Sequence, residues 1–552
     1  MNQYTPKLFD VLKGYSASKL LKDVISGIIV AIIALPLSIA LALASGVGPE
    51  QGIYTAIFAG FVISFLGGSR VQIAGPTAAF ATIVAGIVAK KGMSGLVIAT
   101  IMAGIILIVM GLLKLGNLIK FIPHTITTGF TAGIAVTIVI GQIKDFLGLT
   151  FANSPIETID KVKEIASCIG TFNWQALVVG LVSLAILIVC PMIKGVNKVP
   201  PSLIAVIVAI LMVKLIGMDV KTIGDLYTIS NRIPAPSLPH LDFATVRDLL
   251  PDSFTIAILA AIESLLSCVV SDGMIGSRHK PNAELIAQGA GNIASALFGG
   301  IPATGAIART AANVKNGGQT PIAGIVHSIT LFVILIVLMP YAAWIPMPAI
   351  AAILFMVAYN MCGWREFVSL IKSSPASDIL VLVVTFVLTV VFDLVIAIEV
   401  GIVLAAFLFL GRMSSATEIR SWKNLEDEAG DETNPESIHF KKIPSNTIVY
   451  EVTGPMFFAV ADKFMNIRVA DNVKVIIIRM RSVPTIDISA IRSFEKIAKR
   501  CEKRGITLLL SHVLDQPMSI MEKAGLTKQI GEDNFCPNID AALEKARAII
   551  EK

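Results

Sequence analysis

The sequence predicts an α-helical membrane protein with 14 transmembrane segments in two inverted halves of seven, followed by a small α/β domain outside the bilayer. Of the 552 residues, 55% are hydrophobic and only 15% are charged, whereas soluble domains usually carry about 25% charged residues. The mean hydropathy is +0.78. Apolar runs recur up to about residue 413, and the sequence then becomes polar and charged. These observations place most of the chain in lipid.

The apolar runs have the length of membrane-crossing helices. "VISGIIVAIIALPLSIALALA" (24–44) and "LVIATIMAGIILIVMGLL" (96–113) approach the roughly 20 residues that cross a bilayer. The first run is too long for a signal-peptide core, so we expect no cleavable signal. Several of the 14 segments are short or interrupted, and they begin near residues 24, 52, 72, 95, 125, 174, 202, 254, 284, 305, 321, 348, 378 and 394.

The basic residues predict the orientation. An even number of segments puts both chain ends on one side of the membrane. Most lysines and arginines of the loops lie on that same side, whereas Lys90, Lys91 and the long connection 217–252 lie on the other. The positive-inside rule therefore places both termini and the α/β domain in the cytoplasm. We expect the protein in the plasma (inner) membrane.

The two halves repeat one another. "FLGGSRVQIAGPT" (65–77) parallels "LFGGIPATG" (297–305), and 226 residues separate Pro76 from Pro302. A second pair of similar motifs, around Pro123 and Pro346, is separated by 223 residues. Because seven segments per copy is odd, the second copy is inverted, which is a common plan of transporters. Chance similarity between apolar segments is the alternative interpretation.

The repeated motif predicts an anion site. In each copy a Gly/Pro-marked lead-in precedes small residues that begin a helix, near Thr77 and Gly305. Irregular backbone at membrane depth is tolerated only where protein covers it or where it lines a cavity. Two helices that begin there from opposite sides point their positive ends at one place, and Arg309 adds a full charge. Alternatively, Arg309 snorkels or pairs with a carboxylate.

Glu263 is the carboxylate expected near that site. It lies about ten residues into segment eight, and a rise of ~1.5 Å per residue places it near mid-depth. Ser267 follows on the same helix face. Glu263 could take up and release a proton, bind a cation with Ser267, or form a fixed ion pair with Arg309. We expect Glu399 to be interfacial, and His124 and His327 to be structural.

The residues 35–80, "LPLSIALALASGVGPEQGIYTAIFAGFVISFLGGSRVQIAGPTAAF", strongly resemble the signature region of the sulfate-permease (SulP) anion transporters, relatives of the motor protein prestin. "IESLLS", "GGIPATGAIARTAANVKNGGQT" and "FDLVIAIEVGIVLA" continue the resemblance, and the C-terminal part is similar to the STAS domain of that family. The resemblance implies a transmembrane domain (1–413), a linker (414–437) and a STAS domain (438–552).

The resemblance also implies a mechanism. Segments 1–4 and 8–11 would form a moving core and segments 5–7 and 12–14 a gate, in a homodimer that works by elevator-type alternating access. Arg309 matches the pocket arginine of the family. The other residues that the resemblance places around the anion are Thr77, Ala78, Ala306, Ile307 and Ala308, with Leu37 and Leu41 closing the pocket.

Two departures from the family concern the coupling ion. Members that use sodium carry aspartate at the position of Glu263 and a hydroxyl residue at the position of Ile307. An isoleucine side chain cannot bind a cation, so we favour protons over sodium. A sodium-dependent bicarbonate symporter remains the alternative.

The last part of the chain alternates strands and helices. "NTIVYEV", "VKVIIIRM" and "ITLLLS" read as buried strands, and amphipathic helices follow them. Asp487 and Ser489 match the acid and the phosphorylatable serine of bacterial anti-sigma antagonists, which would make this surface the site of a cytoplasmic regulator. Plain helix capping is the alternative interpretation.

The motif content excludes other functional classes. The six cysteines form no CxxC pair, and the chain has no phosphate-binding GxxxxGK, no metal-ligand cluster and no nucleophile elbow. The net charge of +6 comes from basic residues in the loops, which argues against nucleic acid as a partner. We therefore expect no enzyme activity and no cofactor. The predicted function is proton-coupled import of a small anion; a non-transporting membrane sensor, an anion channel and a nucleobase symporter are the rival hypotheses.

Overall fold

The chain divides into two compact units in the computed structural model, Met1–Val403 and Leu404–Lys552. The structure describes residues 3–117, 123–153, 155, 157–193, 199–239, 242–392, 394–422, 442–460 and 472–551. The boundary between the units lies inside a helix, ten residues before the predicted end of the transmembrane domain at residue 413.

The first unit is helical. Its helices are α1 (Lys7–Leu12), α2 (Ala17–Ala44), α3 (Pro49–Leu66), α4 (Ala81–Leu112), α5 (His124–Leu147), α6 (Thr158–Ser167), α7 (Trp174–Val189), α8 (Pro201–Ile216), α9 (Ile223–Leu226), α10 (Phe243–Asp248), α11 (Leu250–Ile275), α12 (Pro281–Leu297), α13 (Ile307–Lys315), α14 (Ile322–Ala342), α15 (Met347–Cys362), α16 (Trp364–Ser373), α17 (Ala376–Val391) and α18 (Leu394–Ala416), the last of which continues past residue 403.

Eight of the described helical runs are long and apolar enough to cross a membrane, and α8 and α17 are apolar but shorter. The longest run, Ala78–Leu112, has 35 residues. It is broken at Gly92, whose φ of 68° lies in the left-handed region that a residue without a Cβ adopts at little cost. The segments predicted to begin near residues 72 and 95 therefore occupy the two parts of this run. The full count of 14 stays a prediction.

Two short strands pair with each other inside the helical unit, and this pair forms the crossing of the two interrupted segments. β1 (Ala74–Gly75) pairs antiparallel with β2 (Thr304–Gly305). A 3₁₀ turn at Ala78–Phe80 leads from β1 into α4, and β2 leads directly into α13. The non-helical lead-ins predicted from the Gly/Pro motifs are thus confirmed. By position, Pro76 corresponds to Ala306, because each directly follows its strand. The repeat alignment that paired Pro76 with Pro302 is wrong by four residues.

Glycines allow the helices of this unit to pack closely. A Cβ on Gly104 of α4 would lie 2.7 Å from the carbonyl oxygen of Gly289 on α12. On α5, a Cβ on Gly133 would lie 2.6 Å from the Cβ of Thr389 on α17. Small residues at such contacts let two backbones approach, and this closeness is a main source of helix association in lipid.

The second unit contains a five-stranded sheet in the order β3-β4-β5-β6-β7. β3 pairs antiparallel with β4, and the other pairs are parallel. The elements are β3 (Glu418–Trp422), β4 (Thr447–Thr453), β5 (Val475–Ser482), α19 (Ile488–Lys503), β6 (Thr507–Ser511), α20 (Asp515–Lys523), α21 (Leu526–Ile530), β7 (Phe535–Cys536) and α22 (Ile539–Glu551). The three strands and the helices predicted from the sequence are confirmed.

The central strands bury both faces. Ile476 and Ile478 of β5 pack in the core with α19, whereas Val475 and Ile477 pack on the opposite face with α22. Strands covered on both sides read as continuous apolar runs, and for this reason β4, β5 and β6 were visible in the sequence.

The predicted linker 414–437 is partly wrong. α18 extends to Ala416, and β3 at Glu418–Trp422 forms the edge of the sheet. Its sequence, EIRSW, is short and charged, as edge strands often are. Only the pairing with β4 makes it a strand. The remaining linker positions 423–437 lie outside the described residues.

We predict that Gly104→Val lowers the thermal unfolding temperature of the purified protein, since overpacking a tight contact costs roughly 1 to 3 kcal/mol. Gly86 on the same helix has no neighbouring atom within 4 Å of an added Cβ. Gly86→Val is therefore the matched control, with an expected effect within roughly 0.5 kcal/mol. Equal unfolding temperatures for the two variants would contradict the close packing of α4 on α12.

Candidate functional site

The two lead-ins are the extended segments that precede α4 (residues 68–77) and α13 (residues 299–306). Apart from the short β1–β2 pair, their backbones are held mainly by side chains. The backbone N–H of Ile73 donates to Thr310 Oγ1 (3.1 Å), and Asn313 Nδ2 donates to the Val71 carbonyl (2.8 Å). In the second lead-in, Asn292 Oδ1 accepts from the Ala303 N–H at 2.8 Å. These bonds satisfy backbone groups that have no water partner in a membrane.

A buried carboxylate, Glu284 of α12, anchors the beginning of the first lead-in. Glu284 Oε2 accepts from the N–H groups of Gly68 (2.9 Å) and Ser69 (3.2 Å). Its Oε1 accepts from Gln72 Nε2 at 3.0 Å and from Gln288 Nε2 at 2.9 Å. Glu284 was not among the site residues predicted from the sequence. The signal was present, because a glutamate inside an apolar segment requires partners.

Arg309 lies buried at the crossing, with 1% of its surface exposed. Its Nη2 donates to the Pro76 carbonyl at 3.2 Å, whereas Nε and Nη1 have no hydrogen-bond partner in the described part of the chain. No carboxylate among the described residues lies within 4.0 Å of the guanidinium, so the alternative of an ion pair with Glu263 is wrong for this structure. Gly75 provides the space, because a Cβ there would collide with Nη1.

The amino ends of the two helices differ in accessibility. The first-turn N–H groups of a helix have no partner within it, and in α13 these include Ile307 and Ala308, which are exposed. The N–H of Ala306, which the resemblance also placed at the anion, donates to the Ile73 carbonyl at 2.9 Å and is not free. On the first helix, Ala78 is 5% exposed.

The remaining predicted pocket residues lie on two elements. Thr77 is half-buried and is the N-cap of the 3₁₀ turn that begins α4. On α2, Leu37 is half-buried and Leu41 is 2% exposed. A role for these leucines in closing the pocket stays a prediction.

Glu263 meets both interrupted segments through hydroxyl groups. Its Oε2 accepts hydrogen bonds from Thr77 Oγ1 and Thr304 Oγ1, each at 2.9 Å. Glu263 as a whole residue is half-buried. The predicted partner Ser267 is not bonded to it, because the Ser267 hydroxyl donates to Thr310 Oγ1 at 3.4 Å. Ser264, which the sequence analysis missed, accepts from the Gly305 N–H at 3.1 Å.

The other ionisable candidates lie apart from Glu263. His327 is fully buried on α14, and neither of its ring nitrogens has a partner among the described atoms. His124 contacts Thr128 and pairs with Glu366 at 3.2 Å, as a structural histidine does. Glu399 is exposed. Among the described residues, no group of His, Cys, Asp or Glu could hold a metal ion.

In the second unit, Asp487 caps α19. Its Oδ1 accepts from the Ala490 N–H at 2.9 Å, and its Oδ2 accepts from the Phe458 N–H at 2.9 Å. The capping interpretation is therefore confirmed. Ser489 lies half-buried in the first turn of α19, and its regulatory role stays a prediction.

Comparison with known families decides the relationship of the chain. Residues 20–385 match the Sulfate permease family, and residues 438–542 match the STAS domain. The chain belongs to the sulfate permease family. The members of this family that it resembles are anion transporters and not enzymes.

Individual sulfate permease relatives match over nearly their whole length. The putative sulfate transporter YvdB of Bacillus subtilis is 39% identical over 533 residues, which cover 96% of this chain and 98% of that protein. The bicarbonate transporter BicA of Synechocystis is 28% identical, with 95% of this chain and 94% of that protein covered.

Solved structures share the sulfate permease fold. The overall structure of SLC26A9 matches with a TM-score of 0.86 and 19% identity, covering 98% of this chain and 92% of that chain. The transmembrane domain of a cyanobacterial BicA matches with a TM-score of 0.62 and 28% identity, covering 71% of this chain and 98% of that chain. The predicted membrane helical fold with a C-terminal STAS domain is thus confirmed.

We predict that Gly75→Ala lowers anion uptake into proteoliposomes by roughly tenfold, because the added Cβ displaces either the Arg309 guanidinium or β1. Gly141 on α5 has no atom within 4 Å of an added Cβ, so Gly141→Ala serves as the matched control. Wild-type uptake by Gly75→Ala would show that the position of the guanidinium is unimportant.

We predict that Asp487→Ala lowers the stability of the STAS unit by roughly 0.5 to 2 kcal/mol, since the first turn of α19 loses its cap. Asp487→Ser, which retains a capping oxygen, should recover most of that loss. Denaturant unfolding followed by circular dichroism measures both variants. Equal stabilities for Asp487→Ala and the wild type would contradict the capping role.

Proposed function

We propose that the protein is a secondary active transporter that carries a small inorganic or carboxylate anion across the plasma membrane together with protons. The observation that carries this proposal is the crossing of β1 and β2. There, each strand leads into the start of a helix, and the pair lies beside a buried arginine with no carboxylate partner among the described residues. Helix amino ends and a guanidinium both attract anions.

The unpaired state of Arg309 favours an anionic substrate. A buried charge without a counter-charge is costly, and two of the three guanidinium nitrogens also lack hydrogen-bond partners. Because its surface is 1% exposed, the guanidinium acts on the pocket mainly through its field. The amides of Ile307 and Ala308, two exposed residues in the first turn of α13, are the groups that an anion would contact.

We infer that the transmembrane domain contains 14 segments in two inverted halves of seven. These would be α2, α3, the two parts of α4, α5, α7 and α8, then α11, α12, α13, α14, α15, α17 and α18. A short helix, α6 or α16, follows the fifth segment of each half, which supports the repeat. The antiparallel pairing of β1 with β2 is what two inverted copies produce.

Helix packing supports an elevator mechanism with two bodies. The proposed core helices pack mainly on one another, as α12 does on α3 and α4, and α14 does on α2 and α3. The proposed gate helices do likewise, as α5 does with α15 and α17. Fewer residues connect the two groups, chiefly those between α2 and the helices α5, α8 and α15. Sliding of the core would carry the anion site with it.

Glu263 is the residue to which we assign proton coupling. Glu263 is half-buried as a residue, and it has no cationic partner among the described residues. A negative carboxylate beside the anion site opposes anion binding, and a proton removes that opposition. Proton and anion therefore favour each other, as symport requires.

The names of the relatives suggest the substrates to test first. YvdB is described as a putative sulfate transporter and BicA as a bicarbonate transporter. Uptake of radiolabelled sulfate and bicarbonate into proteoliposomes, in competition with chloride and dicarboxylates, tests the proposal. Replacing sodium with choline should leave uptake unchanged. Loss of uptake in choline would instead support sodium-dependent bicarbonate symport, and no flux of any anion would support a non-transporting sensor.

We also propose a homodimer and a cytoplasmic regulator of the STAS domain. The family resemblance suggests both. Two apolar side chains near Asp487, Phe458 and Ile488, are 60% and 61% exposed, and an exposed apolar patch often marks a protein contact.

We predict that Glu263→Gln transports anion with no dependence on pH between about 5 and 8, because the variant has no carboxylate to protonate. Initial uptake rates at a series of external pH values measure this. Glu399→Gln, which removes an exposed carboxylate of α18, is the control and should retain the wild-type pH profile. An unchanged pH profile in Glu263→Gln would contradict the assignment of coupling to this residue.

A further inference from the structure

Thr304 of β2 has no function assigned by the site described above. It is fully buried, and its hydroxyl donates to Glu263 Oε2 at 2.9 Å. Thr77 from the other interrupted segment donates to the same oxygen at 2.9 Å, and the two hydroxyl oxygens lie 3.5 Å apart. One carboxylate oxygen of α11 is therefore bonded to both segments that cross.

Thr77, which donates to Glu263, also stands at the start of the 3₁₀ turn that leads into α4. Thr77 has the extended backbone of an N-cap (φ −128°, ψ 159°), but its side chain accepts no hydrogen bond from the first turn. A threonine at this position usually bonds such an N–H group. In this structure the Thr77 hydroxyl donates to Glu263, and the Phe80 N–H of the first turn donates to the Thr77 carbonyl at 3.4 Å.

Other charged groups near α11 do not satisfy Glu263. The elements packed against α11 include α4, α10, α12, α13 and β2. Several ionisable side chains of these elements and of α11 have partners of their own: Lys91 with Asp248, Asp272 with His279, Glu284 with the Gly68 and Ser69 amides, and Arg309 with the Pro76 carbonyl. The two threonines are the partners that the structure shows for the Glu263 carboxylate.

We propose that Thr304 is a positioning residue for coupling: it holds the Glu263 carboxylate against both interrupted segments, so that protonation of Glu263 is transmitted to the helix ends that bind the anion. This inference rests on the proposed function. Thr304 does not contact the anion, because it is fully buried in β2 behind the helix end. Its effect is exerted through Glu263.

The direction of the effect follows from the hydrogen bonds. A hydroxyl that donates to a carboxylate stabilises the ionised form relative to the protonated form. Without the Thr304 hydroxyl, the protonated carrier persists to higher pH. The external pH at which uptake is half-maximal should therefore rise, by roughly 1 to 2 pH units for one bond to a charged group.

The test uses the full-length protein in proteoliposomes and anion uptake as a function of external pH. Thr304→Val removes the hydroxyl with little change of size and should move the half-maximal pH upward. The KM for the anion at the lowest pH should stay within about twofold of the wild type, since a twofold change is below 0.5 kcal/mol. Thr304→Ser should restore the wild-type profile.

Thr100→Val is the matched control, because Thr100 of α4 is equally buried and its hydroxyl bonds only its own helix, at the Leu96 carbonyl. Combining Thr304→Val with Glu263→Gln should add no pH effect to that of Glu263→Gln alone. If Thr304→Val does not fold, Thr304→Ala replaces it, with monodispersity on size exclusion as the criterion.

Two results would overturn the inference. In the first, uptake by the wild type depends on pH, and Thr304→Val has a lower rate or a raised KM at every pH but the same half-maximal pH. This result leaves the proposed function intact and makes Thr304 purely structural. The other is anion uptake by the wild type that does not depend on pH, which removes proton coupling from the proposed function and this inference with it.

Discussion

The structure depends on one constraint: backbone that leaves the helical conformation inside a membrane must find every hydrogen-bond partner within the protein. The crossing of β1 and β2 meets this constraint with side chains from two helices, α12 and α13. Glu284, Asn292, Thr310 and Asn313 bond the lead-ins on both sides of the strands. These buried polar residues of α12 and α13 are thereby explained, since they supply the hydrogen-bond partners that the extended backbone before the two helices requires.

The opposite charges of Arg309 and Glu263 do not pair with each other in the structure. Arg309 extends across to the Pro76 carbonyl, and Glu263 is bonded by the hydroxyls of Thr77 and Thr304. Direct pairing of the two charges would neutralise the pocket and would leave neither group free for a substrate or a proton. In the function proposed above, this separation keeps the helix-end anion site and the Glu263 carboxylate distinct. An anion and a proton would then influence each other without direct contact.

Much of this arrangement could be predicted from the sequence. Gly/Pro motifs in corresponding positions of the two halves indicated where the helices break, because few other residues interrupt an apolar helix. The apolar runs of β4, β5 and β6 indicated buried strands, and the residues before α19 indicated its cap. The less visible elements were those whose stability comes from a partner: β3 needs β4, and Glu284 needs the amides of Gly68 and Ser69.

The sequence by itself determined the class of the protein: its helices, the two interruptions, the buried arginine and the appended α/β unit follow from composition and local motifs. Only the tertiary structure decided which groups meet. Helical spacing suggested Ser267 as the partner of Glu263, yet residues distant in the chain, Thr77 and Thr304, occupy that place. Similarly, the Ala306 amide is used by Ile73 and is not available to an anion. The physical reason is that hydrogen-bond partners across a crossing are set by the register of the two strands, which no local pattern encodes.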